Sequence, residues 1–294
     1  MFKSSNFVQS EVVSLDKEIA KLGVKQTPLS SLLMALGKTG KINAPTHTWR
    51  EVTLDNTDDI GAVEGNKDIQ FYQSKRAQLN NVAEIFQKGV SVSGTVEAMS
   101  GNNIGNQFAQ ETNDRLLELK ISLERKLVSG VKDDGSTAPY IRRLQGVENW
   151  VDAANIVTAA TSGVVTEDDI ISTVQKLWNN NGSGSYYALV NAPIKNQLDK
   201  LYKDAYHYVA QTNTFGITVN RIQTSYGNVD LILTPYADVN KMTIFDPNDL
   251  KIEYLRQPQF QALGKQGDAT EGFVVTEATL YVASPKKLAQ LDIS

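Results

Sequence analysis

The run NQFAQETNDRLLELKISLERKLVSGV, Asn106 to Val131, constrains this chain more than any other stretch of it. Ile104, Phe108, Leu116, Leu119, Leu123 and Leu127 recur at helical spacing, and Leu117, Ile121 and Val128 widen the stripe. Glu111/Arg115 and Lys120/Glu124 stand four apart and are expected to pair on the exposed side, and Gly130 closes the helix. At 1.5 Å per residue such a helix spans about 40 Å, longer than most globular domains need. The fold must therefore be organised around one rod with a single buried face. The turn-rich KDDGSTAPYIRRLQGV that follows reads as a Gly/Asp turn and then a strand-like run ending at Gly146-Val147. No residue of this stretch is placed to do chemistry.

The segments around the rod differ in character. Residues 1–26 read as an extended or partly helical arm. TPLSSLLMALGK reads as a short helix with Thr27 as N-cap, Pro28 in the first position, Gly37 as the stop, and Leu29, Leu32, Leu33 and Leu36 on one face. From Pro45 to Lys88, Val52 and Leu54 and later Ile69 and Phe71 alternate with polar neighbours, the period of strands. Between them lie the acids Asp55, Asp58, Asp59, Glu64 and Asp68. The pattern predicts a long two-stranded hairpin with an acidic tip. A lone hairpin is marginal in water, so this one must lie on its own body or on another copy. KGVSVSGTVEAMSG reads as a strand and turn entering the long helix.

Residues 150–254 read as an α/β unit. TEDDIISTVQKLW is a helix capped by Thr166, YYALVN a buried strand, and NAPIKNQLDKLY a helix with Ile194, Leu198 and Leu201 inward. GITVNRIQTSYG, NVDLILTPY and MTIFDP supply further strands. The tail GFVVTEATLYVASPKKLAQL gives another β segment and a basic, partly helical end.

Composition excludes several functions. A net charge of −4 argues against a surface built to wrap nucleic acid, which needs a marked Lys/Arg excess. The absence of cysteine removes disulfides, thiolate metal sites and thiol nucleophiles, and fits folding in a reducing cytosol. His47 and His207 are the only histidines, and neither has a second at metal spacing. Glu167, Asp168 and Asp169 sit at a helix start, where dipole complementation accounts for them better than a cation does. No Walker loop, G-x-G-x-x-G or G-x-S-x-G occurs, and GSGS at 182–185 precedes a strand rather than a helix. No catalytic residue, cofactor or metal site is expected. No window is long and apolar enough for a signal peptide or membrane span, so no membrane association is expected.

In order and spacing, these segments resemble the Hong Kong-type fold of the major capsid proteins of tailed double-stranded-DNA bacteriophages. TPLSSLL followed by HTWREVTLD, the hairpin, the long helix, the α/β unit and the final TLYVASPKKLAQL carry the likeness. The resemblance implies an α+β chain with an N-terminal arm and short helix (1–45), an extended hairpin loop (46–88), a peripheral domain holding a spine helix (89–150), an axial domain (151–250) and a return to the peripheral domain (251–294). It implies a structural protein, not an enzyme, that self-assembles as hexamers and pentamers into an icosahedral head shell. Such a shell would be built in the host cytoplasm, enclose DNA without sequence-specific binding, and meet a portal and scaffolding or cementing proteins. With about 26 residues before the first helix, any scaffolding function is expected to reside in another protein or to be absent. Inter-subunit contacts are expected between the tip acids Asp55, Asp58, Asp59, Glu64 and Asp68 and basic residues of an adjacent copy, chiefly Arg142 and Arg143, with Lys120 and Arg125 as further candidates. The competing readings are an encapsulin-like compartment shell, a tail or baseplate protein, and a small-molecule enzyme with an unrecognised site.

Overall fold

The structure, a computed structural model, describes residues 27–54, 61, 63–67, 69, 71, 73–98, 107–180, 182–205, 209–210, 220–264 and 267–294. The expected arm over 1–26, the tip acids Asp55, Asp58, Asp59 and Asp68, and His207 lie outside these residues. In chain order the elements are α1 (Pro28–Ala35), β1 (Thr39–Lys41), β2 (Thr46–Thr53), β3 (Lys75–Val82), β4 (Glu84–Ser93), α2 (Gly94–Ala98), α3 (Gln107–Ser129), β5 (Ile156–Thr158), α4 (Glu167–Asn179), β6 (Ser185–Val190) and α5 (Ala192–Ala205). They continue with β7 (Val209–Ala210), β8 (Asn220–Thr224), β9 (Gly227–Leu233), β10 (Lys241–Phe245), β11 (Leu250–Ala262), β12 (Ala269–Val282) and β13 (Leu288–Asp292). The described residues form three sheets: β1-β11-β12-β4, β5-β13-β10-β6-β9-β8-β7, and the pair β2-β3.

Contacts divide the chain into two compact units, one of which includes residues 86–123 and 256–276. Within it, β4 alternates as a half-buried strand should, Phe86, Val90 and Val92 buried and Gln87, Gly89 and Ser91 exposed, with Lys88 on the inward phase breaking the pattern. The long helix buries Leu119 and Leu123, and Phe108 meets Phe260 edge-on at 5.7 Å. Its solvent side carries the expected pair, Arg115 to Glu111 at 3.0 Å, with Glu118 bonded to both Arg115 and Lys88 at 2.6 Å. The strand expected before this helix is followed by a short helix, α2, rather than a turn.

The second unit comprises residues 27–85, 124–255 and 277–294. Its core is a mixed seven-stranded sheet carrying α4 and α5. Ile170, Val174 and Leu177 of α4 and Ile194 and Leu198 of α5 cluster with Tyr186, Ala188, Val190, Leu231, Met242 and Ile244 of the strands. Helix α4 starts as expected: Thr166 and Asp169 form a reciprocal capping box. The tail has the expected β segment and a short basic 3-10 helix but departs from expectation beyond it. Its basic residues fall in a single turn at Pro285–Lys287, and Leu288–Asp292 is not helical but a strand, antiparallel to β10 and parallel to β5. Burial of Leu288, Ala289, Gln290 and Leu291 on both faces of the sheet overrides their helix-like spacing.

Helix α1 buries Leu29, Leu32 and Leu33, whereas Leu36 is exposed beyond its end. Thr27 makes no side-chain cap. Glu124 does so from a distance: its carboxylate accepts the backbone N–H groups of Leu29 at 2.7 Å and Ser30 at 2.8 Å. The expected exposed Lys120–Glu124 pair is thus corrected; Glu124 is fully buried and spent on two orphan amides of another helix. Burial pushes its carboxyl above the ordinary carboxylate range, partly offset by these bonds.

Where α3 ends, Gly130 meets Gly146, whose N–H donates to the Gly130 carbonyl at 2.9 Å. A side chain on Gly130 would stand 2.5 Å from the Lys126 carbonyl oxygen, and one on Gly146 2.6 Å from the same atom. Only glycine permits that crossing. The strand-like run expected before Gly146 is instead a loop closed by one bridge, Asp133 to Arg143, with N–H···O distances of 3.0 and 2.8 Å.

Candidate assembly surface

The hairpin β2-β3 forms in register from Thr46↔Val82 to Thr53↔Lys75. Its first strand presents alternate residues to its own subunit. His47 and Trp49 lie with their ring centroids 5.9 and 4.8 Å from that of Tyr281, and Trp49 packs on Trp150 at 5.6 Å. Glu51 accepts a bond from the Ser284 hydroxyl at 2.7 Å and faces Lys286 at 3.5 Å. On the second strand the Asn81 side chain donates to the Leu280 and Gln145 carbonyls and accepts from the Gln145 and Val82 amides. His47 is therefore a member of an aromatic seat.

Beyond this base the chemistry reverses. Ile69 and Phe71, expected as strand residues, lie outside β3, which begins at Lys75. Phe71 is 92% exposed and Val63 83%, and Leu54 and Ile69 are likewise bare. Glu64 stands exposed in a turn closed by the Asn66 amide on the Val63 carbonyl at 3.0 Å. Residues 54–74 carry five carboxylates against the single Lys67.

The other expected contact residues sit on the loop Val131–Arg143. Arg142 is engaged within its own chain, donating to Glu277 at 2.7 Å. Arg143 holds the loop through its backbone and keeps its side chain exposed, near enough to buried Glu84 to favour that group's charge. Burial nevertheless pushes the Glu84 carboxyl up, against the Leu144 N–H that it accepts at 3.1 Å. Of the further candidates Lys120 is exposed, whereas the Arg125 guanidinium lies 5.6 Å over the Tyr236 ring. Sequence reasoning missed the apolar part of this loop: Tyr140 is 73% exposed with φ 59°, Ile141 next to it is exposed, and so is Val131 at the loop's start. The Pro-Tyr-Ile step in a polar turn was the available signal. Asp133 and Asp134 each accept a loop amide at 2.9 Å, so the loop is preformed, and Lys132 Nζ fixes it to the Asn80 carbonyl at 2.8 Å.

The surface thus has two apolar, oppositely flanked parts. Among the described residues no cluster of His, Asp or Glu is arranged to hold a metal ion, and no helix is long and apolar enough to cross a membrane.

The fold is that of the Hong Kong-type capsid proteins. The chain belongs to the SU10 major capsid protein family, whose pattern it matches over residues 3–293. Its role is accordingly structural rather than enzymatic, as a head-shell component of a virion that associates with copies of itself. Solved structures share the fold at low identity. The cyanophage A-1(L) capsid superposes with a TM-score of 0.69 at 11% identity, covering 96% of this chain and 97% of that one. The holo-SrpI encapsulin complex of Synechococcus elongatus PCC 7942 gives 0.67 at 13%, covering 96% and 93%. The capsid of Myoviridae phage XM1 gives 0.62 at 10%, covering 99% of each. Among curated proteins no sequence matches. Fold alone does not separate phage head from encapsulin; the family membership does.

Proposed function

We propose that this capsid protein closes into an icosahedral head of hexamers and pentamers around DNA, and that the hairpin of each copy lies across its neighbour. The domain scheme that goes with this reading takes 1–45 as arm and short helix, 46–88 as extended loop, 89–150 as peripheral domain with the spine helix, 151–250 as axial domain and 251–294 as the return. The observation that carries it is the contrast along the hairpin, seated at Trp49 and bare at Phe71. Exposed apolar side chains gathered on one projecting segment mark a contact surface. Its neighbour's Val131–Arg143 loop suits it, with Tyr140 and Ile141 as apolar contacts and Arg143 facing the acids Asp55, Asp58, Asp59, Glu64 and Asp68. Arg142, held by Glu277, orders that loop rather than pairing across the interface. Because the loop stands beside the base of its own hairpin, tip-on-loop contacts run head to tail and can close rings. Assembly in the host cytoplasm around a portal, with separate scaffolding or cementing proteins, completes the reading.

Because the chain lacks cysteine, cross-linking tests this cleanly. Phe71→Cys and Tyr140→Cys subunits, made separately and co-assembled, should give disulfide-linked dimers in closed shells seen by electron microscopy. Tubes or monomers would overturn the shell geometry. Closed shells without the cross-link would place the hairpin elsewhere.

A further inference from the structure

The exit of α3 is tied to the seven-stranded sheet through one half-buried carboxylate. After the Gly130–Gly146 crossing, the chain makes a single turn at Val147–Asn149, and Asn149 Nδ2 ties it back to the Gly130 carbonyl at 2.8 Å. Glu148 projects from this turn and accepts the backbone N–H of Asp238 at 2.9 Å. Asp238 lies in the loop between β9 and β10, which α3 also grips through Arg125 over Tyr236. On the sheet side, Gln290 Nε2 bonds Thr243 at 3.0 Å and reaches the Glu148 carbonyl at 3.5 Å.

We propose that Glu148 and the β9–β10 loop form a proton-controlled clasp, seated when Glu148 is protonated and loosened when it is charged. The charged groups around it are few. Asp238 faces it from the loop with like charge, and Lys241 at the start of β10 opposes that. Asp292 of β13 stands opposite Lys241 in register, and Arg125 of α3 is engaged with the Tyr236 ring. Burial, the largest cause, lifts the Glu148 carboxyl from 4.5 to about 7, with the Asp238 amide pulling down and the Asp238 carboxylate pushing up. The sign follows. When the clasp opens, the carboxyl regains water and its ordinary value, so opening releases a proton. Opening is suppressed as pH falls through about 7 and continues to fall toward the ordinary carboxylate value, by up to about tenfold per pH unit. Above that range both states are ionised and the dependence levels off.

Amide hydrogen exchange of the full chain, corrected for base-catalysed chemistry, reads this at residues 234–240. In the wild type, loop opening should rise about tenfold from pH 6 to pH 8. Glu148→Gln should keep the loop protected and flatten the profile. Asp238→Asn, which removes the like charge and keeps an acceptor for the Asn240 amide, should shift the wild-type midpoint toward acid. A wild-type profile flat across this range overturns the clasp, as does a Glu148→Gln profile that still bends near neutrality. Should Glu148→Gln fail to fold, an Asp238→Asn midpoint identical to the wild type overturns it equally.

Discussion

The seven-stranded sheet and the far part of the hairpin are opposite solutions to burying apolar surface. In the sheet and the α5 helix packed on it, Tyr186, Leu189, Ile194, Leu198, Leu231 and Phe245 are closed off by partners in the same chain. In residues 54–71, Leu54, Val63, Ile69 and Phe71 have none among the described residues and stand in water. The difference teaches that this subunit is finished in one region and left unfinished in another. On the function proposed above, the unfinished part gains its burial from a second copy, the economy expected of a shell protein. Substitutions should therefore divide into those that damage the subunit and those that damage only assembly.

The largest effect on the subunit is expected at Leu123, 2% exposed on the long helix. Leu123→Asp puts an unpaired carboxylate on the buried stripe and should cost several kcal/mol. Insoluble or unfolded protein in denaturation and sedimentation assays is the expected outcome. A soluble variant that assembles normally would erase the distinction between the helix's two faces.

Next comes Glu124→Gln. The carboxylate accepts two amides, while glutamine offers one oxygen and turns an NH₂ group against the other N–H. A loss of about 1–3 kcal/mol is expected from the stranded donor, read as a lower denaturant midpoint at unchanged slope. An unchanged midpoint would show that α1 is held by Leu29, Leu32 and Leu33 alone.

Glu124 also shows what the sequence conceals. Lys120 and Glu124 have the spacing of a surface pair, but the group Glu124 serves lies 95 positions away, and no local pattern announces it. The terminal strand was hidden similarly: KKLAQL has helix-like spacing, and only the slot between β5 and β10 decides its shape. Ile69 and Phe71 alternate as a strand does, yet pairing ends at Lys75. Legible features were those whose partners are near in sequence. The Thr166–Asp169 capping box, the Leu119–Leu123–Leu127 stripe, the Glu111–Arg115 pair and strand β6 all appear as the residues predict. At the assembly surface, the exposed loop carrying Arg142 and Arg143 was legible as basic. Its aromatic tip and the Arg142–Glu277 pair, which joins residues 135 positions apart, were not.

The smallest effect on the subunit, and the sharpest test of the comparison, is expected at the tip acids. Asp55, Asp58 and Asp59 crowd like charges into a short segment with the single Lys67 nearby in sequence. Replacing all three with Asn removes mutual repulsion, so on the proposed reading of the hairpin the melting temperature of the isolated subunit should be unchanged or slightly higher. Each charge pair across an interface is worth only about 0.2–1 kcal/mol when exposed. A shell repeats that contact in every copy, so the loss multiplies where the subunit feels none. Assembly of the triple variant should fail at concentrations where the wild type closes, and added salt should weaken wild-type assembly by screening the same pairs. Turbidity and light scattering against ionic strength would read both. A triple variant that assembles normally and melts lower would mean that the tip packs on its own subunit. The hairpin would then belong with the sheet, among the finished parts of the molecule.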